Sequence, residues 1–368
     1  MLRRIYFFFI LLLSLASQLD AQEKSYPSFQ AGIKGGYGFI IPHSPAMEYI
    51  ASQHVSRLEF FVEKNTFGDR SWQQRYQFPR LGVTVNFFNL NNPEHLGNAY
   101  SVAPYMNFNL WGQKSVLLRL RTALGVGYLE KPFDPENNFK NESVGSYINL
   151  FFSVQLETEI YISQKMGLIL GVDYAHFSNT SFKKPNKGIN IPTIQGGLVY
   201  KFGEKHERVT EDQTSFQTPK GFFRANLSFG LNEIYPPEGE KYLATFFSLG
   251  YEKRLSPKSS LGINTDVFYN PAQRAALERD AILIDKGWEN TQIGVSGTYT
   301  IHFGRFEPYI LAGYYLKKAD KELSNVYTIF GSRVHLNDRI NAMIALKTHV
   351  ASAEYLTVGI GYRLGKIE

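Results

Sequence analysis

"VLLRLRTALGVGYL", residues 116–129, decides the fold class by simple alternation. Successive side chains of a strand point to opposite faces. One face therefore carries Leu118, Leu120, Thr122, Leu124, Val126 and Tyr128, and the other Leu117, Arg119, Arg121, Ala123, Gly125 and Gly127. A face with two arginines and three very small residues suits a narrow polar lumen. The opposite face suits hydrocarbon, with Tyr128 at the depth where interfacial aromatics gather. The stretch predicts a strand of a membrane β-barrel, with a water-soluble β-sandwich as the second reading.

Segments of this kind recur at about 30–41, 55–64, 80–90, 98–111, 114–129, 145–162, 165–178 and 190–203. Turn-rich stretches such as "NLNNPEHLGN" and "KPFDPENNFKNES" separate them. Eight strands make the smallest barrel that spans a membrane alone, and closure removes sheet edges that lipid would leave unpaired. The rhythm stops in the polar "EKHERVTEDQTSFQTP", residues 204–219, which reads as a linker. It resumes at about 221–232, 241–255, 258–270, 289–303, 305–317, 325–335, 339–350 and 354–365.

The expectation is an all-β chain. An antiparallel membrane β-barrel of about eight strands occupies residues 23–203, and a duplicated, divergent β-barrel-like half occupies 220–368. The alternative is one barrel of about sixteen strands, a pore. Pairing of the strand at 190–203 with the first strand favours two small barrels; pairing with the strand at 221–232 favours the pore.

The duplication shows at the ends of the halves: "GLVYKFG" at 197–203 matches "GIGYRLG" at 359–365, and "DYAH" at 173–176 matches "LKTH" at 346–349. His176 to His349 is an offset of 173 whereas Gly203 to Gly365 is 162, so the second copy lacks 11 residues between its histidine and its last strand. Ser178 falls against Ala351, with Ser352 on the other face of the strand. The second half is thus expected to be structural or to have another job, and Glu354 near His349 reads as a strand-end polar residue.

Residues 1–22, with Arg3 and Arg4 before an apolar run from Ile5 to Leu15, read as an export signal. The chain has no cysteine, which excludes disulfides, thiolate metal sites and a lipid-modified N-terminal cysteine. The net charge of +6 is not gathered into a basic stripe, which argues against a nucleic-acid partner. The eight histidines form no metal-binding motif. No cofactor or metal is called for, and the expected location is the outer membrane of a Gram-negative-type envelope.

The run "GLILGVDYAHFS", residues 167–178, places Leu168, Leu170, Val172, Tyr174, His176 and Ser178 on one face. Its apolar stripe thus ends in a histidine and a serine. Polar groups facing a membrane cost free energy unless they serve something, and a serine beside a histidine base is the minimum for forming an acyl-enzyme. A lipid lying against the barrel wall is the substrate this placement suggests.

"HFSNTSFKKPNKGIN", residues 176–190, resembles the signature of the PagL-type lipid A 3-O-deacylases, eight-stranded outer-membrane barrels that hydrolyse an ester-linked acyl chain of lipopolysaccharide. His176, Ser178, Asn179, Pro185-Asn186 and Gly188-Ile189 carry the resemblance. The longer chain, with "GYGFIIPHS" and "SWQQRYQFPRLG", is similar to the group labelled acyloxyacyl hydrolase in Bacteroidetes-like outer membranes. The resemblance implies that Ser178 is the nucleophile, His176 the general base, and Asn179, with Asn186, the oxyanion donors. Where the family has a glutamate that orients the histidine, this sequence has Asn190. An asparagine can fix the histidine tautomer but cannot offset imidazolium charge, so a slower enzyme, or a carboxylate from elsewhere, is expected. The substrate implied is lipid A or a related glycolipid; the rival is a non-enzymatic barrel whose His-Ser dyad is a relic.

Other motifs read as structure. His43 and Ser44, between Pro42 and Pro45, suggest a strand-end turn. Gly32, Gly35, Gly36 and Gly38 read as small residues inside a tight barrel, and Trp72 and Tyr76 as interfacial anchors.

Overall fold

The alternation of residues 116–129 is realised in β5 (Val116–Leu129). Arg119 and Arg121 are 2 % and 0 % exposed, whereas Leu124, Val126 and Tyr128 lie open on the outside. This computed structural model describes residues 25–42, 45–51, 53–113, 115–210, 221–280, 290–318, 320, 323–349 and 352–364. The export signal, the His43-Ser44 turn and Ala351 lie outside the described residues.

The other strands of the first sheet are β1 (Ser25–Phe39), β2 (His54–Lys64), β3 (Arg80–Asn92), β4 (Gly97–Gln113), β6 (Ile148–Tyr161), β7 (Met166–Ser178) and β8 (Ile189–Glu207). Each pairs antiparallel with the next, and β8 returns to β1 with Gly35 opposite Gly196 and Ala31 opposite Tyr200. The second sheet is β9 (Phe222–Glu233), β10 (Lys241–Arg254), β11 (Ser259–Tyr269), β12 (Thr291–Ile301), β13 (Phe306–Lys317), β14 (Val326–His335), β15 (Ile340–His349) and β16 (Ser352–Leu364). It closes on itself through β16 and β9, with Thr357 opposite Gly230.

The chain therefore forms two closed eight-stranded barrels, one in each half, and the sixteen-stranded pore is excluded by the β1–β8 closure. Closure gives every strand two neighbours, so backbone groups facing lipid are paired within the sheet. The described residues divide into two compact units, one of 25–179 with 187–210 and one of 180–186 with 221–364. β8 continues past Gly203 to Glu207, into the stretch whose composition marks a linker.

The first lumen is filled rather than open. Lys34, Arg57, Arg80, Arg119 and Arg121 interleave with Glu59, Glu63, Glu157, Glu159 and Asp173, all buried. Arg121 Nη1 lies 2.6 Å from Glu59 Oε1, Arg80 Nη1 lies 2.6 Å from Glu159 Oε2, and Lys34 Nζ lies 2.9 Å from Glu59 Oε1. Burying so many charges is tolerable because all but Arg119 have a partner of opposite sign within ion-pair distance, while Arg119 donates to Asn107 Oδ1 at 3.0 Å and to Asn107 O at 2.8 Å. Close packing also explains Gly32, where a β-carbon would fall 2.5 Å from the Phe61 ring; at Gly35 nothing lies within 4 Å, and that glycine has no such explanation.

One end of this barrel has the tight turns 114–115 and 162–165 beside the longer connection 65–79, and the other has the loops 40–53, 130–147 and 179–188 with only 93–96 short. That asymmetry marks the long-loop end as the outer one. The outer mouth is capped by apolar side chains: Met47 and Ile50 of α1 (Pro45–Ile50) are buried in one cluster with Leu90, Leu96, Leu129 and Val144. Around the outer rim Tyr128 stacks on Tyr147 at 6.0 Å and approaches Tyr100 at 6.2 Å, the aromatic belt expected at Tyr128. Trp72 departs from expectation. It belongs to α2 (Ser71–Arg75), between β2 and β3, and is 8 % exposed, buried with Gln73 instead of anchoring in an interface.

The second lumen is part polar and part aromatic. Arg224 Nε lies 3.1 Å from Glu252 Oε2, and Lys347 Nζ lies 2.9 Å from Glu354 Oε2. Phe246, Phe268, Tyr315 and Tyr327 pack in one cluster beside them. α3 (Pro271–Arg279) follows β11, capped by Asn270, whose side chain accepts from the Ala272 N–H.

Candidate active site

β7 puts Tyr174, His176 and Ser178 on the outer-facing side by the period of two. Val172 and Tyr174 are exposed and His176 half-exposed, while Asp173, Ala175 and Phe177 are buried inside. The inner residues hold the strand end in place. Phe177, between His176 and Ser178, is fully buried, with its ring 5.0 Å from Phe151 and 5.4 Å from Phe88 in an edge contact. Such aromatic pairs are worth about 0.5–1.5 kcal/mol beyond the area they bury. Asp173 accepts from Ser153 Oγ at 2.5 Å and pairs with Arg57, tying β7 to the lumen network.

The β7–β8 register sets His176 directly opposite Asn190. Their side chains meet: His176 Nδ1 lies 2.6 Å from Asn190 Oδ1. A carbonyl oxygen only accepts, so in this arrangement Nδ1 carries the proton and Nε2 is the basic nitrogen. Tyr174, two residues before His176, donates its hydroxyl to the same Asn190 oxygen at 2.7 Å. Sequence reasoning placed Tyr174 on the lipid stripe without a role; the cross-strand contact that involves it depends on register and is invisible in one strand.

Gly188 is the second residue whose part emerges only here. Its φ is +78°, and a β-carbon on it would fall 2.7 Å from His176 Cε1. Its N–H donates to Ser143 O at 2.7 Å, so the loop between β5 and β6 supports the entry into β8. Glycine is thus required twice, for its backbone conformation and for its closeness to the imidazole.

Ser178 ends β7 opposite Leu150 and is 6 % exposed. Asn179 follows it, 4 % exposed. Thr180 and Ser181 then take φ of +56° and +64°, the left-handed region. A β-branched residue there costs about 1–3 kcal/mol and persists only where its surroundings impose it. The chain thus turns sharply at once after the Ser-Asn pair. Asn186 is half-buried in the same loop. The structure joins His176 to Asn190, keeps Ser178 and Asn179 adjacent to them in the chain, and gives Asn186 a place in the loop.

The second barrel's counterpart is built differently. His349 ends β15, with Nε2 2.8 Å from Tyr315 Oη and Nδ1 3.3 Å from Glu354 Oε2. A register shift after Lys347 leaves Glu354 without a cross-strand partner, and Asn270, Gln273 and Lys347 hold its carboxylate. Only residues 350–351 separate β15 from β16, so the loop that carries Asn179 and Gly188 in the first barrel is missing. Glu354 thus sits near the start of β16, held by Lys347, Asn270 and Gln273.

Elsewhere in that barrel Ser260 Oγ lies 2.6 Å from His302 Nε2, and His302 Nδ1 lies 2.9 Å from Glu307 Oε1. The residue types and order are those of a hydrolytic triad. All three are buried, at 0 %, 3 % and 2 % exposure, and Glu307 also pairs with Arg224 at 3.2 Å. This relay is part of the charge network that fills the lumen.

Comparison with known proteins divides the chain the same way. Residues 57–198 match the family model described as lipid A 3-O-deacylase (PagL), and residues 222–366 match the one described as acyloxyacyl hydrolase, C-terminal domain. No curated protein matches the chain. Among solved structures, Neisserial surface protein A is 13 % identical over 47 % of this chain and 97 % of its own, with a TM-score of 0.34. The outer membrane enzyme PagL is 15 % identical over 45 % and 97 %, with a TM-score of 0.30. A mutant porin of Rhodopseudomonas blastica is 12 % identical over 92 % and 99 %, with a TM-score of 0.18. At TM-scores this low none of these likenesses bears on the chain's chemistry.

Proposed function

Because this chain belongs to the PagL-type lipid A 3-O-deacylase family, whose members are outer-membrane ester hydrolases, we propose that it removes an ester-linked acyl chain from lipid A or a related glycolipid by way of Ser178. The observation that carries the reading is the placement of His176. It stands at the outer end of the apolar stripe of β7, with Nδ1 engaged by Asn190, an arrangement that supports Nε2 as the base in this reading.

In this mechanism Ser178 Oγ attacks the acyl carbonyl carbon while His176 Nε2 takes the hydroxyl proton. The carbonyl oxygen becomes an oxyanion, stabilised by donors from Asn179 and Asn186. Collapse breaks the bond to the sugar oxygen, which leaves with the proton held on His176. A water then gives its proton to His176 Nε2 and attacks the acyl-enzyme carbonyl, and collapse breaks the bond to Ser178 Oγ, which takes that proton back from His176 as the fatty acid leaves. Asn190 keeps the imidazole in the working tautomer but adds no negative charge beside the imidazolium, so the rate is expected to lie below that of a carboxylate-supported site.

The test is mass spectrometry of lipid A from cells expressing the wild-type chain or Ser178→Ala. Loss of one acyl mass with wild type alone supports the serine mechanism. Deacylation that persists in the variant, or identical intact spectra with both barrels folded, overturns it.

A further inference from the structure

An amide can do for a histidine what a carboxylate does only in one of its two orientations. The Asn side-chain torsion is roughly two-fold. With Oδ1 toward His176, Nδ1 must donate and Nε2 is unprotonated. With the amide turned over, its NH2 faces Nδ1, which must then accept, so the proton moves to Nε2 and the base is lost. A carboxylate presents an oxygen either way. In a site built on Asn190, something has to choose.

We propose that Tyr174 makes that choice: it is the positioning residue that locks the Asn190 amide with its oxygen toward His176, and so sets the tautomer on which the reaction depends. The inference rests on the reading of His176 as the base of Ser178. Tyr174 Oη and His176 Nδ1 lie 2.7 and 2.6 Å from the same oxygen. A phenol has one hydrogen to give. Tyr174 is 40 % exposed on the outer face, at the end of a stripe that includes Leu170 and Val172. Turning the amide over would set its NH2 against the phenol oxygen and direct the phenolic hydrogen into those apolar surroundings, where an unmet donor is costly. The orientation that satisfies the tyrosine is also the one that leaves Nε2 basic.

The geometry separates Tyr174 from the other residues at the site. Its position opposite Pro192 on β8 puts it one step along the same face from the His176–Asn190 pair, so the three form a diagonal across two strands. Cross-strand diagonals of this kind are within reach of aromatic side chains. The tyrosine touches the asparagine and acts on the reaction only through it.

A double-mutant cycle on the full chain tests this, using purified lipid A in mixed detergent micelles. Tyr174→Phe is expected to lower kcat about ten-fold with KM nearly unchanged. In an Asn190→Glu background, where no orientation has to be chosen, the same change is expected to cost less than about two-fold. An equal loss in both backgrounds, or no loss in the wild-type background, overturns the inference.

A second readout is independent of turnover. The 15N shifts of labelled His176 report which ring nitrogen bears the proton; wild type should show Nε2 unprotonated and Tyr174→Phe a mixture of tautomers. An unchanged tautomer in Tyr174→Phe overturns the role of Tyr174 even in an active enzyme. Inactivity of the wild type with the tautomer shift present would overturn the hydrolase reading and leave the positioning role standing. Heat-modifiable migration on gels confirms that each variant has closed its barrels.

Discussion

Gly188 lies so close to His176 that a β-carbon on it would sit 2.7 Å from the imidazole Cε1, and its φ of +78° already belongs to glycine. The residue that admits the loop into β8 is therefore also a wall of the histidine's seat.

Gly188→Ala should displace the imidazole while the barrel still closes, since the strand pairs flanking the loop are untouched. Displacement of about 1 Å of a catalytic group costs on the order of 10²-fold in rate. Kinetics on micellar lipid A, beside gel migration of the folded form, check this. Near-normal turnover would show that the ring has room to retreat.

Arg121 joins Glu59 at 2.6 Å and Glu157 at 3.3 Å in the first lumen, and its guanidinium lies 4.1 Å from the Tyr105 ring centre. Arg121→Met leaves carboxylates buried without their main cation. A loss of about 3–5 kcal/mol is expected for breaking such a buried pairing, read from urea unfolding in detergent micelles. A midpoint within error of wild type would mean that Lys34 and Arg57 suffice to hold Glu59.

The Ser260–His302–Glu307 relay supplies a contrast with Ser178. Ser260→Ala should leave lipid A hydrolysis unchanged and cost about 1 kcal/mol of stability, the usual worth of one hydrogen bond. A fluorophosphonate probe on the wild-type chain should label Ser178 and spare Ser260, whose side chain no reagent in the membrane or in water can touch. Peptide mapping of the labelled protein decides between them.

Just beyond β5, the Glu130 carboxyl is held below the ordinary carboxylate range, first by the backbone N–H of Asn98 and then by the Asn98 side chain and the Tyr100 hydroxyl. A lowered pKa means that this contribution is present above the ordinary value of about 4.3 and fades as pH falls through the lowered one. Protection of the 130–147 amides, measured relative to their intrinsic exchange rates, should therefore fall on acidification below about pH 4 in wild type. In Glu130→Gln that protection should be low already at neutral pH and change little with acid.

The strand faces were legible because lipid and lumen impose opposite chemistry at every second residue, which a single strand records by itself. Arg119 beside Ala123 and Gly127 is enough to tell inside from outside. Closure into two barrels was legible only as a pair of possibilities, since strand partners are set between segments far apart in the chain. The same limit hid the parts that Tyr174 and Gly188 play beside His176. Each acts across a strand pair or a loop, and neither changes the alternation that makes β7 and β8 readable. Trp72 was misread because an aromatic next to polar residues looks alike whether it anchors in an interface or packs into a short helix between strands. Glu354 lies near the start of β16, where a strand-end residue was expected, but the shift in register that draws it to Lys347 leaves no mark in composition.

Each sheet closes through strands drawn from its own half, β8 on β1 and β16 on β9. A nick in the backbone between Glu207 and Phe222 would thus sever the polypeptide without opening a single ladder. The covalent link is not what defines either ring, and the halves are in that sense two proteins sharing one message, open to being separated, exchanged or lost independently over evolutionary time.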